Sequence, residues 1–127
     1  MIAPSAQNQT PNIAGNYSGS TIINFPAAAV QVSCPTTTAV AQSGTTVTFA
    51  NLVLGGECDN TSIALSTDTI DNTGALQGQN SGTFDEPSCG RYAYTGSGGF
   101  VGRELRLSLS ATSSTCPSFT MTITLSR

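Results

Sequence analysis

Phe119-Thr120-Met121-Thr122-Ile123-Thr124-Leu125 alternates apolar and hydroxyl side chains without interruption, and Leu105-Arg106-Leu107-Ser108-Leu109 does the same just upstream. A period of two places one set of side chains on a buried face and the other on a wet face. No helical period fits either run. The pair therefore reads as two half-buried strands, and the class as all-β.

Working outward, six further strands follow the same pattern. Gly15 to Phe25 alternates through Tyr17, Thr21 and Ile23 and is stopped by Pro26. Ala27 to Pro35 is read mostly as connection, although Val30, Val32 and Cys34 alternate in it. Thr36 to Gln42 and Thr45 to Leu54 form a hairpin around Ser43-Gly44. Within the second of these the apolar register shifts by one near Asn51, which predicts a bulge. Ser62 to Ile70 and Ala75 to Asn80 flank the turn Asp71-Asn72-Thr73-Gly74. Ser81 to Cys89 is a long connection with a short extended piece at Thr83-Phe84. Gly90 to Thr95 leads into a Gly96-to-Gly99 turn, and Arg103 to Ala111 follows.

Eight short strands with regular turn signals predict an antiparallel up-and-down barrel, with a two-sheet β-sandwich as the alternative. The alternation of connection lengths favours the barrel. Tight turns and long connections take turns along the chain, so a meander gathers all the long ones at one rim. Each long connection carries one cysteine: Cys34, Cys58, Cys89 and Cys116. Bridges require Cα atoms within roughly 7 Å, so rim neighbours are the partners. Pairing of the first strand with the last favours Cys34–Cys116 with Cys58–Cys89. The other neighbour pairing, Cys34–Cys58 with Cys89–Cys116, stays open.

The chain has 127 residues, 9% of them charged, with no His and a formal net charge of −3. That length bounds one modest core. Residues 1–13 are rich in Gln, Asn, Pro and Ala and read as a flexible tether or arm, leaving 14–127 as a single barrel domain. Met1 to Asn12 lacks the charged and apolar regions of a signal peptide and reads as the spacer left after one is removed. No run of apolar residues is long enough to span a membrane as a helix. Four cysteines without any CxxC spacing read as two disulfides, which points to a secreted, periplasmic or cell-surface protein. The absence of a basic field argues against a nucleic-acid partner.

The opening stretch GNYSGS, the hairpin AVAQSGTTVTF, the unit IDNTGALQG and the terminal SFTMTITLSR together resemble the calycin type of small barrel, the lipocalin and avidin-like group, and short secreted bacterial barrels. The resemblance runs from Gly15 to Arg127 and implies architecture alone. There is no Trp in the chain, so the tryptophans of the lipocalin opening and of the avidin pocket have no counterpart, and no binding residue is carried over.

Chemistry is sparse. Without His or Lys, Ser–His and Ser–Lys dyads and Schiff-base chemistry are excluded, and the protein is read as non-enzymatic, with no catalytic residue and no cofactor. Glu57, Asp59, Asp85 and Glu86 would share the cysteine rim; four carboxylates suit a calcium ion, but ordinary solvating loop charges are the preferred reading. Tyr17, Phe49, Tyr92, Tyr94, Phe119 and Met121 are the candidate lining of a ligand cavity, against the simpler reading of a filled core. Thr120, Thr122 and Thr124 lack the fixed repeat of a specialised hydroxyl array and read as ordinary exposed strand residues. Asn8, Asn16 and Asn60 head N-x-Ser/Thr sequons, of consequence only in a eukaryotic secretory host.

Two functions remain in view. The first is binding of a small apolar or amphipathic molecule at the disulfide-bordered rim. The second is a structural or interaction module that joins a protein partner, or a copy of itself, by strand addition.

Overall fold

The computed structural model describes residues 11–65, 67–77, 80–86 and 89–127, so residues 1–10 of the expected arm, with the Asn8 sequon, lie outside the described residues. The described strands are β1 Gly15–Phe25, β2 Val30–Ser43, β3 Thr46–Phe49, β4 Leu52–Leu54, β5 Thr61–Ile63, β6 Asp68–Ile70, β7 Leu76–Gln77, β8 Asn80–Glu86, β9 Gly90–Val101, β10 Glu104–Thr112 and β11 Phe119–Ser126. They form one antiparallel sheet in the order β7-β6-β3-β2-β1-β11-β10-β9-β8, with β4 pairing to β2 and β5. The sheet curls into a half-barrel. All-β structure is thus established, as one sheet and not the two of a sandwich.

The meander is recognisable beneath this order. Two of the expected eight strands are each broken in two, giving β3 with β4 and β5 with β6, while β7 lies inside the expected Ala75-to-Asn80 strand and β8 starts at its last residue. The breaks have local causes. Val47 and Phe49 are buried on β3, and Leu52 and Leu54 on β4, so the buried set slips by one residue at Ala50-Asn51. The slip interrupts the ladder to β2, which resumes with β4 at Thr37↔Val53, and at the interruption the Thr38 hydroxyl donates to the Ala50 carbonyl at 2.8 Å. A second slip separates Ile63 and Leu65 from Asp68 and Ile70, which are also buried.

Strands β10 and β11 alternate as expected. Leu105, Leu107, Leu109, Phe119, Met121, Ile123 and Leu125 are all buried, and the register pairs Leu107 with Ile123 and Leu109 with Met121. Each such side chain contributes on the order of 1.5–3 kcal/mol by leaving water. Strand β11 also pairs with β1, Thr21 facing Ile123 and Ile23 facing Met121.

Three expectations of the connections are corrected. The stretch before Pro35 is strand, since β2 begins at Val30 and its first residues pair with β1 as Phe25↔Val30 through Thr21↔Cys34. Residues 80–86 are strand, not connection, pairing with β9 from Asn80↔Gly96 to Glu86↔Gly90. The Gly96-to-Gly99 segment is not a turn but the middle of β9, and the turn comes at Gly102, whose φ is 62°. Those glycines serve close approach: a Cβ on Gly96 or Gly98 would lie 2.1 Å from Ser108 O or 2.2 Å from Arg106 O. Residues without Cβ let β9 press onto β10 as the sheet curls.

The preferred disulfide pairing is also corrected. The bridges are Cys34–Cys58 and Cys89–Cys116. Cys34 lies four residues inside β2, and β4 pairs with β2 just beyond it at Thr36↔Leu54. The 3-10 turn Gly56–Cys58 that follows β4 therefore lands beside Cys34. Cys116 lies in the β10–β11 connection, beside the β8–β9 turn, where the Thr115 hydroxyl donates to the Cys89 carbonyl at 2.9 Å.

At the opposite rim, Ile13, which the sequence places in the arm, is buried in the core. Its N–H donates to Gln42 Oε1 at 2.9 Å, and Tyr17 Oη donates to its carbonyl at 2.6 Å. Arg127 completes this end by donating to the carbonyls of Asn12 and Ala14 at 2.9 and 3.1 Å.

Candidate ligand-binding cleft

The breaks in the strands decide where the barrel closes. Toward the rim that holds the chain ends, β6 pairs with β7, and Ala75 forms an isolated bridge to Gly99 while Phe100 N–H donates to Gly74 O at 2.7 Å. The wall is continuous there. Toward the cysteine rim, among the described residues, β5 pairs only with β4 and β8 only with β9, and the two edges face each other across a cleft.

The cleft has a volume of about 690 Å³. Ile23, Leu54, Ile63, Phe84, Phe119 and Met121 make its floor, drawn from β1, β4, β5, β8 and β11. Its mouth carries Glu57, Asp59 and Asn60 on one lip and Asp85 and Glu86 on the other. Each lip is fastened by one disulfide, Cys34–Cys58 holding the 3-10 turn and Cys89–Cys116 the β8–β9 turn.

Tyr94 sets the depth. Its hydroxyl donates to the Ala64 carbonyl, spanning from β9 to the segment after β5. The ring passes beneath β8 because residue 82 is glycine; a Cβ there would sit 2.9 Å from the Tyr94 hydroxyl oxygen. Tyr92 stacks on Phe84 with centroids 5.4 Å apart and meets Phe119 at 4.9 Å. Its hydroxyl donates to Pro117 O at 3.0 Å. Burial, then the nearby Glu86 charge, pushes the Tyr92 phenol above its ordinary pKa, so it stays protonated as a donor.

The expected ligand lining therefore divides. Phe119 and Met121 face the cleft. Tyr92 and Tyr94 point inward, but their hydroxyls are engaged with backbone carbonyls, and they support the cleft without lining it. Tyr17 is buried near the opposite rim against Phe100, with centroids 5.7 Å apart, and burial raises its phenol pKa while Arg127 and Arg103 oppose the rise. Phe49 is buried on β3 away from the cleft.

The acids expected at the cysteine rim do line the mouth, all four of them. Among the described residues, no three ligand-type side chains converge closely enough to hold a metal ion. The carboxylates are spread around the opening. Asp85 pairs with Arg91 at 3.3 Å, with both side chains well exposed, an arrangement worth little to stability.

No family model, curated protein or solved structure matches the chain. What the cleft does must be read from its own residues. Four of its floor residues escaped the sequence reading: Ile23, Leu54, Ile63 and Phe84. The apolar alternation marks each as buried, yet nothing in it separates a side chain facing another from one facing a gap. The usable signal was the pair of register slips, at Asn51 and between Leu65 and Asp68, since slipped strands cannot zip a barrel along its full length.

Proposed function

We propose that this protein is a non-enzymatic binder of one small apolar or amphipathic molecule, held in the cleft between β5 and β8. The observation that carries this reading is the cleft itself. It combines an apolar floor, a polar mouth and a volume of about 690 Å³, inside the range of roughly 300–1,000 Å³ usual for small-molecule sites. The curled antiparallel sheet supports the calycin-like likeness drawn from the sequence, a group in which the barrel mouth receives the ligand. The two disulfides fit an oxidising, extracellular location, and no described helix is long and apolar enough to cross a membrane.

Ala64 tests the site. It is exposed and lies at the cleft's edge, so Ala64→Trp should fill the opening without disturbing the core. Titration of the native protein with 1-octanol, followed by Met121 and Ile23 methyl shifts, is expected to show a single saturable site. Ala64→Trp should weaken it at least tenfold at unchanged Tm. Absence of saturable shifts, together with no retained small molecule in native mass spectrometry of protein from its own host, would overturn the reading.

A second reading, an interaction module working by strand addition, is favoured by the edge of β8 that borders the cleft, which pairs with no strand among the described residues. Native mass spectrometry reports on it directly, as a complex with a protein partner or a second copy in place of a retained small molecule.

A further inference from the structure

The charges of this chain are sorted by position. Four of its seven acidic side chains, Glu57, Asp59, Asp85 and Glu86, line the cleft mouth, where Arg91 pairs with Asp85. The remaining three acids, Asp68, Asp71 and Glu104, are matched in number by Arg103, Arg106 and Arg127. Arg106 pairs with Glu104, and Arg103 donates to the Arg127 carbonyl at 3.0 Å, both near the opposite rim. The formal net charge of −3 is therefore concentrated at the mouth of the one apolar cleft described above.

We infer that the occupant of the cleft is a cationic amphiphile, with an apolar body on Phe84, Phe119 and Met121 and a positively charged head between the two acidic lips. This rests on the reading of the cleft as a binding site and specifies its ligand class. An anionic amphiphile, such as a fatty acid, meets repulsion from both lips. A compact metal cation lacks converging ligands among the described residues. A bulky organic cation needs none, because its charge is diffuse and its attraction to carboxylates spread around the mouth is summed over all of them. A charge at a cleft with low-dielectric walls also concentrates oppositely charged solutes from solution.

Three probes of equal chain length separate the possibilities: octyltrimethylammonium, 1-octanol and octyl sulfate, each titrated below its micelle concentration. The same methyl shifts of Ile23 and Met121 report occupancy. The ammonium probe is expected to bind about tenfold more tightly than octanol at low salt, and octyl sulfate more weakly than both. The ammonium advantage should shrink as salt is raised to about 0.5 M. The triple variant Glu57→Gln, Asp59→Asn, Glu86→Gln keeps the Asp85–Arg91 pair and replaces groups at the mouth with near-isosteres. It should abolish the advantage while leaving octanol affinity within about twofold. Equal affinity for ammonium and octanol, or an advantage that survives the triple variant, would overturn the charge inference and leave the cleft reading standing. Binding of none of the three probes would overturn both.

Discussion

Strands β9, β10, β11, β1 and β2 and strands β3 to β8 are two halves of one sheet built under different constraints. In the first group every strand has at least eight residues, β2 reaching 14, and long registers run unbroken from strand to strand. In the second, no strand exceeds seven residues and several have two or three. Both halves use the same alternation of buried and exposed residues. They differ in how long it is kept. A buried set that slips by one residue forces the strand to break or bulge, because the side-chain period of two allows no gradual correction. The continuous half builds a wall. The broken half builds an opening, and the candidate site lies there.

The comparison can be broken first at the centre of the wall. Ile123 is fully buried and faces both Leu107 and Thr21 across its neighbours. Ile123→Ala is expected to cost about 3 kcal/mol, within the usual range for truncation in a core, measured by urea denaturation with disulfides intact. A cost under about 1 kcal/mol would mean that the wall is not the stability-determining half.

Next come the lips. Replacing Cys34 by Ala and Cys58 by Ser opens a loop with a sequence separation of 24 and should cost about 3 kcal/mol. Amide exchange should rise at the 3-10 turn Gly56–Cys58 and at β5, while β10 and β11 keep their protection. Uniform loss of protection across both halves would show that the broken half is not a separate cooperative unit.

A smaller effect sharpens the contrast within the broken half, where two acids three positions apart, Asp68 and Asp71, behave oppositely on either side of the β6 strand end. Asp68 is 5% exposed, and its Oδ2 has no hydrogen-bond partner among the described residues. Burial raises its pKa, against a lowering by the Thr69 N–H. A raised folded pKa means the neutral acid suits the fold better than the carboxylate. Its stabilising contribution is complete below the unfolded carboxyl pKa and is lost as pH rises through the folded value. Asp68→Asn is therefore expected to exceed the native protein in stability at pH 7 by on the order of 1 kcal/mol, the difference closing as pH falls toward about 4.

Asp71 is the reverse case. Hydrogen bonds from the Thr73 hydroxyl and N–H, then from Ala75 N–H and Gln77, hold its carboxyl below the ordinary range. Its contribution is present above the unfolded pKa and is lost as pH falls through the folded one. Asp71→Asn should lower Tm slightly at pH 7 and less at acid pH. Parallel pH profiles for the two variants would contradict this assignment.

Thr38→Val probes the break itself. Removing the hydroxyl that serves Ala50 O should cost about 1 kcal/mol and is read by chemical denaturation. The loss should be confined to the join of β3 and β4.

Much of this was legible in the chain. The alternation of Leu105 to Leu109 and Phe119 to Leu125 specified β10 and β11, and Asn51 announced the first break. The long connections placed the acids at one rim. Glycine misled at β9, because Gly96 and Gly98 read as turn residues whereas the neighbouring β10 backbone and leucines take up the space of their missing side chains. The disulfide pairing depended on β4 lying beside β2 near Cys34, a contact across the sheet that no local pattern encodes. The cleft was hidden for a related reason. Ile63 and Phe84 follow the same alternation as any core residue, and only the three-dimensional parting of β5 from β8 leaves space before them.

The anchoring of Asn12 and Ala14 by Arg127 has a bearing on orientation. Both described ends of the fold meet at one pole, and the cleft opens toward the other. Strain or substitution at the Arg127 clasp is therefore felt first at the pole remote from the mouth, and the opening is insulated from it by the length of the wall.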